Sequence, residues 1–432
     1  MSKSTRYFLL ALGFVVFFIL APLIVLYVSG LSFDFKTGHF VKTGIIAIRT
    51  NPSGVHVLLN GQPVSNNAGD IKFLRPGEYS VTLQKQGYQD WSKSFFVQQN
   101  QVVWANPVPN ELFLFKQTLP PEIIGQQAAD IALAGDNILF TTDSGNLEVL
   151  SETNPQKKHI YTISSSSVNS LLAAPNQNLF LLTENSPDPV ITIFDAGRGR
   201  LENINSLFTG TARFQFADNS DLYALEEENV YLVDVAAKTK TFVAGGVQNF
   251  AVTQGSLYYL QKTATSSSFV EMSLASGQSQ VLATNLPAFT DSKIFVNFQK
   301  QILLQLDDSL YQVSSTLIQV TDGVTDSSFD QANSNLLVLH GGELDFYNYS
   351  TQSLNFITRT ASPLKNFMLR TDLGYAFFFK DTTLEALELD TRDHQNEYTF
   401  YTAQTPGKFI LDSQGKNLYI LDGSVVKILN IR

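Results

Sequence analysis

The chain contains no cysteine, two tryptophans and three methionines in 432 residues. Without cysteine there is no disulfide, no zinc–thiolate site and no thiol nucleophile. Charged side chains are scarce, 16% of the sequence against about 25% in an average soluble domain. The polar surface therefore rests on Ser, Thr, Asn and Gln. A basic excess is also missing: the formal charge is −10, which excludes a surface built to track nucleic-acid phosphates. There is no Gly-x-Gly-x-x-Gly, phosphate-binding loop, His-Glu-x-x-His or Gly-x-Ser-x-Gly, so neither a cofactor nor a catalytic residue is predicted. The histidines, His39, His56, His159, His340 and His394, are spread so that no two share a metal-ligand spacing, and no metal site is predicted. What abounds is apolar mass, with 33 Phe, 16 Tyr and 44% hydrophobic residues, which rules out a disordered chain.

Tyr7–Val28 is a run of 22 residues without a charge. As a helix it spans about 33 Å, enough for a hydrocarbon core of about 30 Å. Pro22 is tolerated in such spans, and Tyr7 and Tyr27 sit where an aromatic belt would hold them. A cleaved signal peptide would have a shorter apolar region, about 7–15 residues, and Leu26–Gly30 is a poor cleavage site. Lys3 and Arg6 before the span balance Lys36 and Lys42 after it, so orientation rests on the short amino-terminal tail and the large body that follows. The expectation is a cytoplasmic tail at 1–6, a bilayer span at 7–28, a linker at 29–43 and an extracytoplasmic body.

Residues 44–107 alternate in period two, as in Ile45–Arg49, Val55–Leu59, Tyr79–Leu83 and Val102–Trp104, with turn signals between. That pattern predicts short strands joined by tight turns, with Tyr79, Val81 and Leu83 on one buried face. Asn60-Gly61 suits a type I′ hairpin. The strings Asn51-Pro52-Ser53-Gly54-Val55, Arg75-Pro76-Gly77-Glu78-Tyr79 and Lys85-Gln86-Gly87-Tyr88 resemble a PEGA domain, with the order of the name-giving Gly and Glu swapped. The resemblance implies a small β-sandwich of surface-exposed or membrane-anchored prokaryotic proteins, with no catalytic residues to carry over.

After the linker Pro107-Val108-Pro109, a polar turn followed by an apolar strand recurs. The strands begin at Ile138, Leu179, Leu222, Leu257, Ile302, Leu336, Tyr375 and Leu418. A recurrence of about 40 residues built from strands alone is a propeller-blade period. Residues 111–432 are thus predicted to form a β-propeller of eight blades, with seven the alternative. The last unit is one strand short, and Glu111–Lys116 is expected to complete it, since an open edge is an aggregation hazard. The repeats resemble WD40-like or YVTN-like propellers in architecture, but none carries the Trp-Asp dipeptide. The overall class is all-β behind one helix.

Local clusters read as turns. Arg198-Gly199-Arg200 is a hairpin tip, Glu226-Glu227-Glu228 a solvated strand end, and Asp218-Asn219-Ser220-Asp221 and Asp390-Thr391-Arg392-Asp393 offer too few oxygens for calcium. The expected function is binding or scaffolding, without catalysis, through propeller loops on an envelope protein, a glycan or a cell-wall polymer. The alternative is a polymer-acting hydrolase or lyase with carboxylates such as Asp130, Asp218 and Asp330 facing one another in the channel.

Overall fold

The structure is a computed structural model. It describes residues 3–28, 30–34, 38–106, 111–117, 119–142, 146–151, 154–162, 170–175, 177–183, 190–262, 266–314, 316–330 and 335–432. Ser29, Lys36, the linker 107–110 and Asn176 lie outside the described residues, as do the side chains of Lys3, Tyr27 and Asp330. Two compact units emerge. The first holds residues 1–117 with 371–375 and 387–398, the second the remainder.

The first unit opens with helix Lys3–Val28, which contains Pro22. Its span Thr5–Pro22 is long and apolar enough to cross a membrane, and none of that window is buried. A hairpin follows, Leu31–Asp34 paired with His39–Lys42. Its exposed Phe33 and Phe40 meet edge-on at 5.2 Å. Next come the two sheets of a sandwich. One has Gly44–Ala47 between Val102–Trp104 and Asp70–Leu74; the other runs Gln62–Ser65, His56–Leu59, Gly77–Gln84, Trp91–Val97. Ile46, Val57, Val81, Leu83, Trp91 and Phe95 fill the space between them. The alternation placed Val81 and Leu83 inside as expected, and Asn60 and Gly61 both take positive φ, 50° and 76°.

The second unit, completed in one blade by 371–375 and 387–398, is a propeller. Among the described residues its sheets are eight, each of four strands. Blades 1 to 7 span 128–162, 170–203, 213–245, 247–284, 292–321, 324–359 and 364–402; blade 8 takes 406–430 and one strand from upstream. The eight apolar positions read from the sequence all fall in the second strand of a blade. First strands lie side by side around the axis, and that of blade 8, Pro406–Leu411, meets that of blade 1, Ala128–Ala134. The ring is therefore closed, three strands plus one.

The closing strand differs from the expectation. Glu122–Gln126, not Glu111–Lys116, pairs with Val425–Asn430 and completes blade 8. The earlier run belongs to the first unit. Leu112 N donates to Arg49 O at 2.8 Å and Leu114 N to Asn51 O at 3.0 Å, while Leu112, Leu114 and Phe115 are buried. Phe115 packs edge-on against Tyr375 and Tyr398, at 4.8 and 5.2 Å. Its backbone and side chains are already committed there, so it has nothing left with which to latch a sheet.

Candidate binding face of the propeller

The face where the inner strands begin is called the upper face. Several inner strands carry a β-bulge near their start, at Ala128/Asp130, Val247/Asn249, Val324/Asp326 and Pro406/Phe409. A bulge re-aims a side chain, and here it aims polar groups at the neighbouring blade. Asp130 accepts from Leu171 N of blade 2 at 3.1 Å and from Lys408 Nζ of blade 8 at 3.2 Å. Asn249 donates to Ser292 O of blade 5 at 2.6 Å. Lys293 reaches Asp326 of blade 6 at 3.3 Å, and Asn366 donates to Gly407 O of blade 8 at 2.5 Å. Arg213 bonds Gln248 O of blade 4. These bonds form a polar belt across most blade junctions.

A second device repeats where second strands end. Glu226 accepts from Thr209 N at 2.7 Å and Gly210 N at 3.3 Å. Asp307 accepts from the amides of Thr290 and Asp291, both at 2.9 Å. Asp422 accepts from Gln404 N at 2.9 Å and Thr405 N at 2.7 Å. Each carboxylate thus staples the loop that leads into its own blade. Lys240 pairs with Glu226 and lies 4.6 Å from the Tyr231 ring; Lys427 pairs with Asp422 at 2.8 Å and lies 4.9 Å from the Tyr401 ring. Burial alone would raise the Glu226 and Asp422 carboxyls, but their lysines and the loop amides outweigh it and hold both below the usual range. Asp307 is held low by the Asp291 and Thr290 amides.

The sign of the pH effect follows. A carboxylate depressed in the folded state stabilises the fold above its unfolded pKa, near 4, and that stability drains as pH falls through the folded value. The propeller is expected to lose stability steadily from about pH 4 downward, and Glu226→Gln or Asp422→Asn to flatten that slope. Urea midpoints measured across the acid range check it; parallel slopes in variant and wild type would remove the staples from the account.

Between blades 3, 4 and 5 the upper face opens a cleft of about 500 Å³, lined by Arg213, Glu227, Glu228, Gln248, Phe289 and Asp291 among others. Glu227 and Glu228 form the two-residue turn of a hairpin whose strands close on Glu226 and Asn229. Both are exposed and both take left-handed φ, 48° and 62°. Such a turn favours Asn-Gly, and non-glycine residues held there cost energy that clusters at functional sites. At the opposite, lower face, a cavity of about 630 Å³ is lined by the inner-strand ends Leu133, Ala134, Leu172 and Phe216.

The structure does not bring the sequence-derived acids together. Asp130 lies on the upper face in the belt. Asp218 lies at the lower end of blade 3, accepting from Thr253 Oγ1 at 2.8 Å and Gln254 N at 2.7 Å. Asp221 and Asn219 hold their own turn through a 2.7 Å bond. Arg198 is a solvated tip beside Asp195. The triple glutamate divides: Glu226 is buried as a staple, and its two successors are exposed.

In the first unit, Asp390 joins a buried network that sequence reading missed, and the exposed Asp393 lies at its edge. Lys93, on the same strand face as Trp91, Phe95 and Val97, has no exposed side-chain surface. Its ammonium meets Glu388 Oε2 at 3.0 Å, Asp390 Oδ2 at 3.3 Å and Asp390 O at 2.6 Å. Trp91 Nε1 donates to Glu388 Oε1 at 3.1 Å, and Asn396 Nδ2 to Oε2 at 2.8 Å. Arg392 bonds both oxygens of Asp390 and lies over the Phe95 ring at 5.1 Å. Burial pushes the Asp390 carboxyl up, yet Arg392 and Lys93 prevail and hold it low. Asp393 accepts from Ser94 N at 2.8 Å. A lysine at a core-facing alternation position was the available signal.

Comparison with known proteins agrees with this division. Residues 43–111 match the PEGA domain. Solved structures similar to the chain include a eukaryotic initiation factor, 13% identical at TM-score 0.51 over 71% of this chain and 86% of that one. The Dos1 propeller is 10% identical at TM-score 0.51, over 72% and 93%. The computationally designed Ika8 protein is 11% identical at TM-score 0.50, over 73% and 98%. At such identities the likeness is one of fold. No curated protein matches the chain.

Proposed function

We propose that the chain is a single-pass membrane protein of a prokaryotic cell envelope, with residues 1–6 in the cytoplasm and both β units outside. In this reading its propeller binds an envelope protein, glycan or cell-wall ligand, without catalysis. The lipid contact is Tyr7–Val28. The helix that meets the length and hydropathy of a span supports anchoring. The PEGA domain match supports a binding or scaffold role.

The observation that carries the binding role is the upper-face cleft with Glu227 and Glu228 held in left-handed backbone at its rim. Two exposed carboxylates there favour a ligand that presents cationic or hydrogen-bond-donating groups. Lysine tolerates the turn no worse than glutamate, so Glu227→Lys with Glu228→Lys reverses the rim charge without unfolding the blade. Captures from envelope fractions with wild-type and double-variant chains are expected to share background species and to differ, by tenfold or more, in the specific one. Equal capture would remove this face from the function. Release of the full chain by alkaline carbonate would remove the anchor.

A further inference from the structure

Blade 6 departs from the pattern of blade 8, and differs from blade 7, where Lys380 at the end of the second strand pairs with Glu385 on the third at 3.6 Å. In blade 8 the second strand ends on Asp422, and the third residue of the next strand is Lys427. Both oxygens of Asp422 are engaged: Oδ1 by the Gln404 and Thr405 amides, Oδ2 by Tyr401 and Lys427. In blade 6 the equivalent positions hold His340 and Asp345, so the acid moves to the third strand and, among the described residues, pairs with the histidine rather than a lysine. His340 Nε2 stands 2.8 Å from Asp345 Oδ2. The Asp345 side chain is only 8% exposed, and its Oδ1 is buried without a hydrogen-bond partner. A carboxylate oxygen withdrawn from water normally finds a donor or a cation.

The same hairpin supplies a third group. Across the Gly341-Gly342 turn, Glu343 pairs in register with His340, and Asp345, two residues on, shares its side of the strand. One ligand-capable atom from each of His340, Glu343 and Asp345 lies within 4.8 Å of the other two. Glu343 also pairs with Arg359, whose side chain is 71% exposed. A solvated pair of that kind exchanges readily for a stronger partner. The other ring nitrogen, His340 Nδ1, faces Thr321 Oγ1 at 3.5 Å, which fixes the ring so that Nε2 points at the carboxylates.

We propose that His340, Glu343 and Asp345 form a divalent transition-metal site, with zinc the best match. One imidazole and two carboxylates supply three of four tetrahedral positions and leave the fourth to water or to a group on a bound partner. A hard ion such as magnesium would hold its waters in preference to the imidazole. Histidine spacing carries no signal of this set, because two of its three ligands are carboxylates.

The test uses the full chain in nanodiscs, stripped with a chelator and dialysed against zinc in millimolar magnesium, with bound metal counted by elemental analysis. One zinc per chain is expected, with a raised melting temperature. Asp345→Asn keeps the shape of the side chain and is expected to weaken zinc at least tenfold; Glu343→Gln is expected to weaken it less, and His394→Ala, beside an unrelated aspartate in the first unit, not at all. Circular dichroism confirms folding of each variant. Wild type that retains no stoichiometric zinc, or Asp345→Asn that binds as well as wild type, overturns the site and leaves His340–Asp345 a structural pair.

Discussion

Replacing Lys93 by methionine is expected to lower the stability of the first unit by about 3–5 kcal/mol, the usual result of removing one partner from a buried ion pair. The side chain is fully buried; its ammonium donates to Asp390 O and lies within ion-pair distance of Glu388 and Asp390 carboxylate oxygens. Methionine fills most of the lysine volume, so packing loss is small and the effect is electrostatic. Glu388 keeps its bonds from Trp91 and Asn396, but its charge stays buried with nothing opposite. Neutralising that charge as well should recover most of the loss, because a buried pair replaced as a unit is near neutral in stability. Lys93→Met with Glu388→Gln is therefore expected to be clearly more stable than Lys93→Met alone. Both tryptophans, Trp91 and Trp104, belong to this unit, so their fluorescence in urea follows it. A single variant within about 1 kcal/mol of wild type, the worth of an exposed pair, would mean that the network does not hold the unit together.

The second strand of every blade was legible because a polar turn followed by a short apolar run, such as Gln254–Tyr259 or Lys416–Ile420, is a local signal. The sandwich strands were legible for the same reason. The latch was not. Leu112-Phe113-Leu114-Phe115 is more apolar than Ile123-Ile124-Gly125, and hydrophobicity says that a strand will be buried without saying in which sheet. The partners of Lys93 lie at 388 and 390, almost 300 residues on, and no spacing rule spans that distance. Glu226 and Asp422 hold the same place, four residues after the first apolar position of a second strand, so the register of the repeats carries their signal; Asp307 lies one residue further on, in the turn, and escapes it. Glu226 instead read as part of a solvated run because its two neighbours are exposed.

Valine at Gly125 is expected to strain the ring at its seam. The latch Glu122–Gln126 pairs Gly125 with Val426 just after a register shift, and residue 125 is buried. A Cβ added there would lie 2.5 and 2.6 Å from Cε2 and Cζ of Phe140. Phe140 has no exposed surface and sits in a cluster with Ile131, Ile138, Tyr419 and Val426, contributed by blades 1 and 8. Neither ring nor backbone has room to retreat, so overpacking of this kind costs about 1–3 kcal/mol for alanine and more for valine. Because the clash lies between the closing strand and the first blade, it opposes the closure that removes the free edges of the ring. Ile123, two residues earlier and 55% exposed, is the control: Ile123→Ala should change stability by about 0.5 kcal/mol or less. Phe140→Leu makes space, so combined with Gly125→Ala it should be more stable than the two single losses imply, by about 0.5–3 kcal/mol. Urea unfolding followed by far-ultraviolet dichroism measures all five variants. If Gly125→Val melts like Ile123→Ala, or the double variant is simply additive, the latch does not close against Phe140.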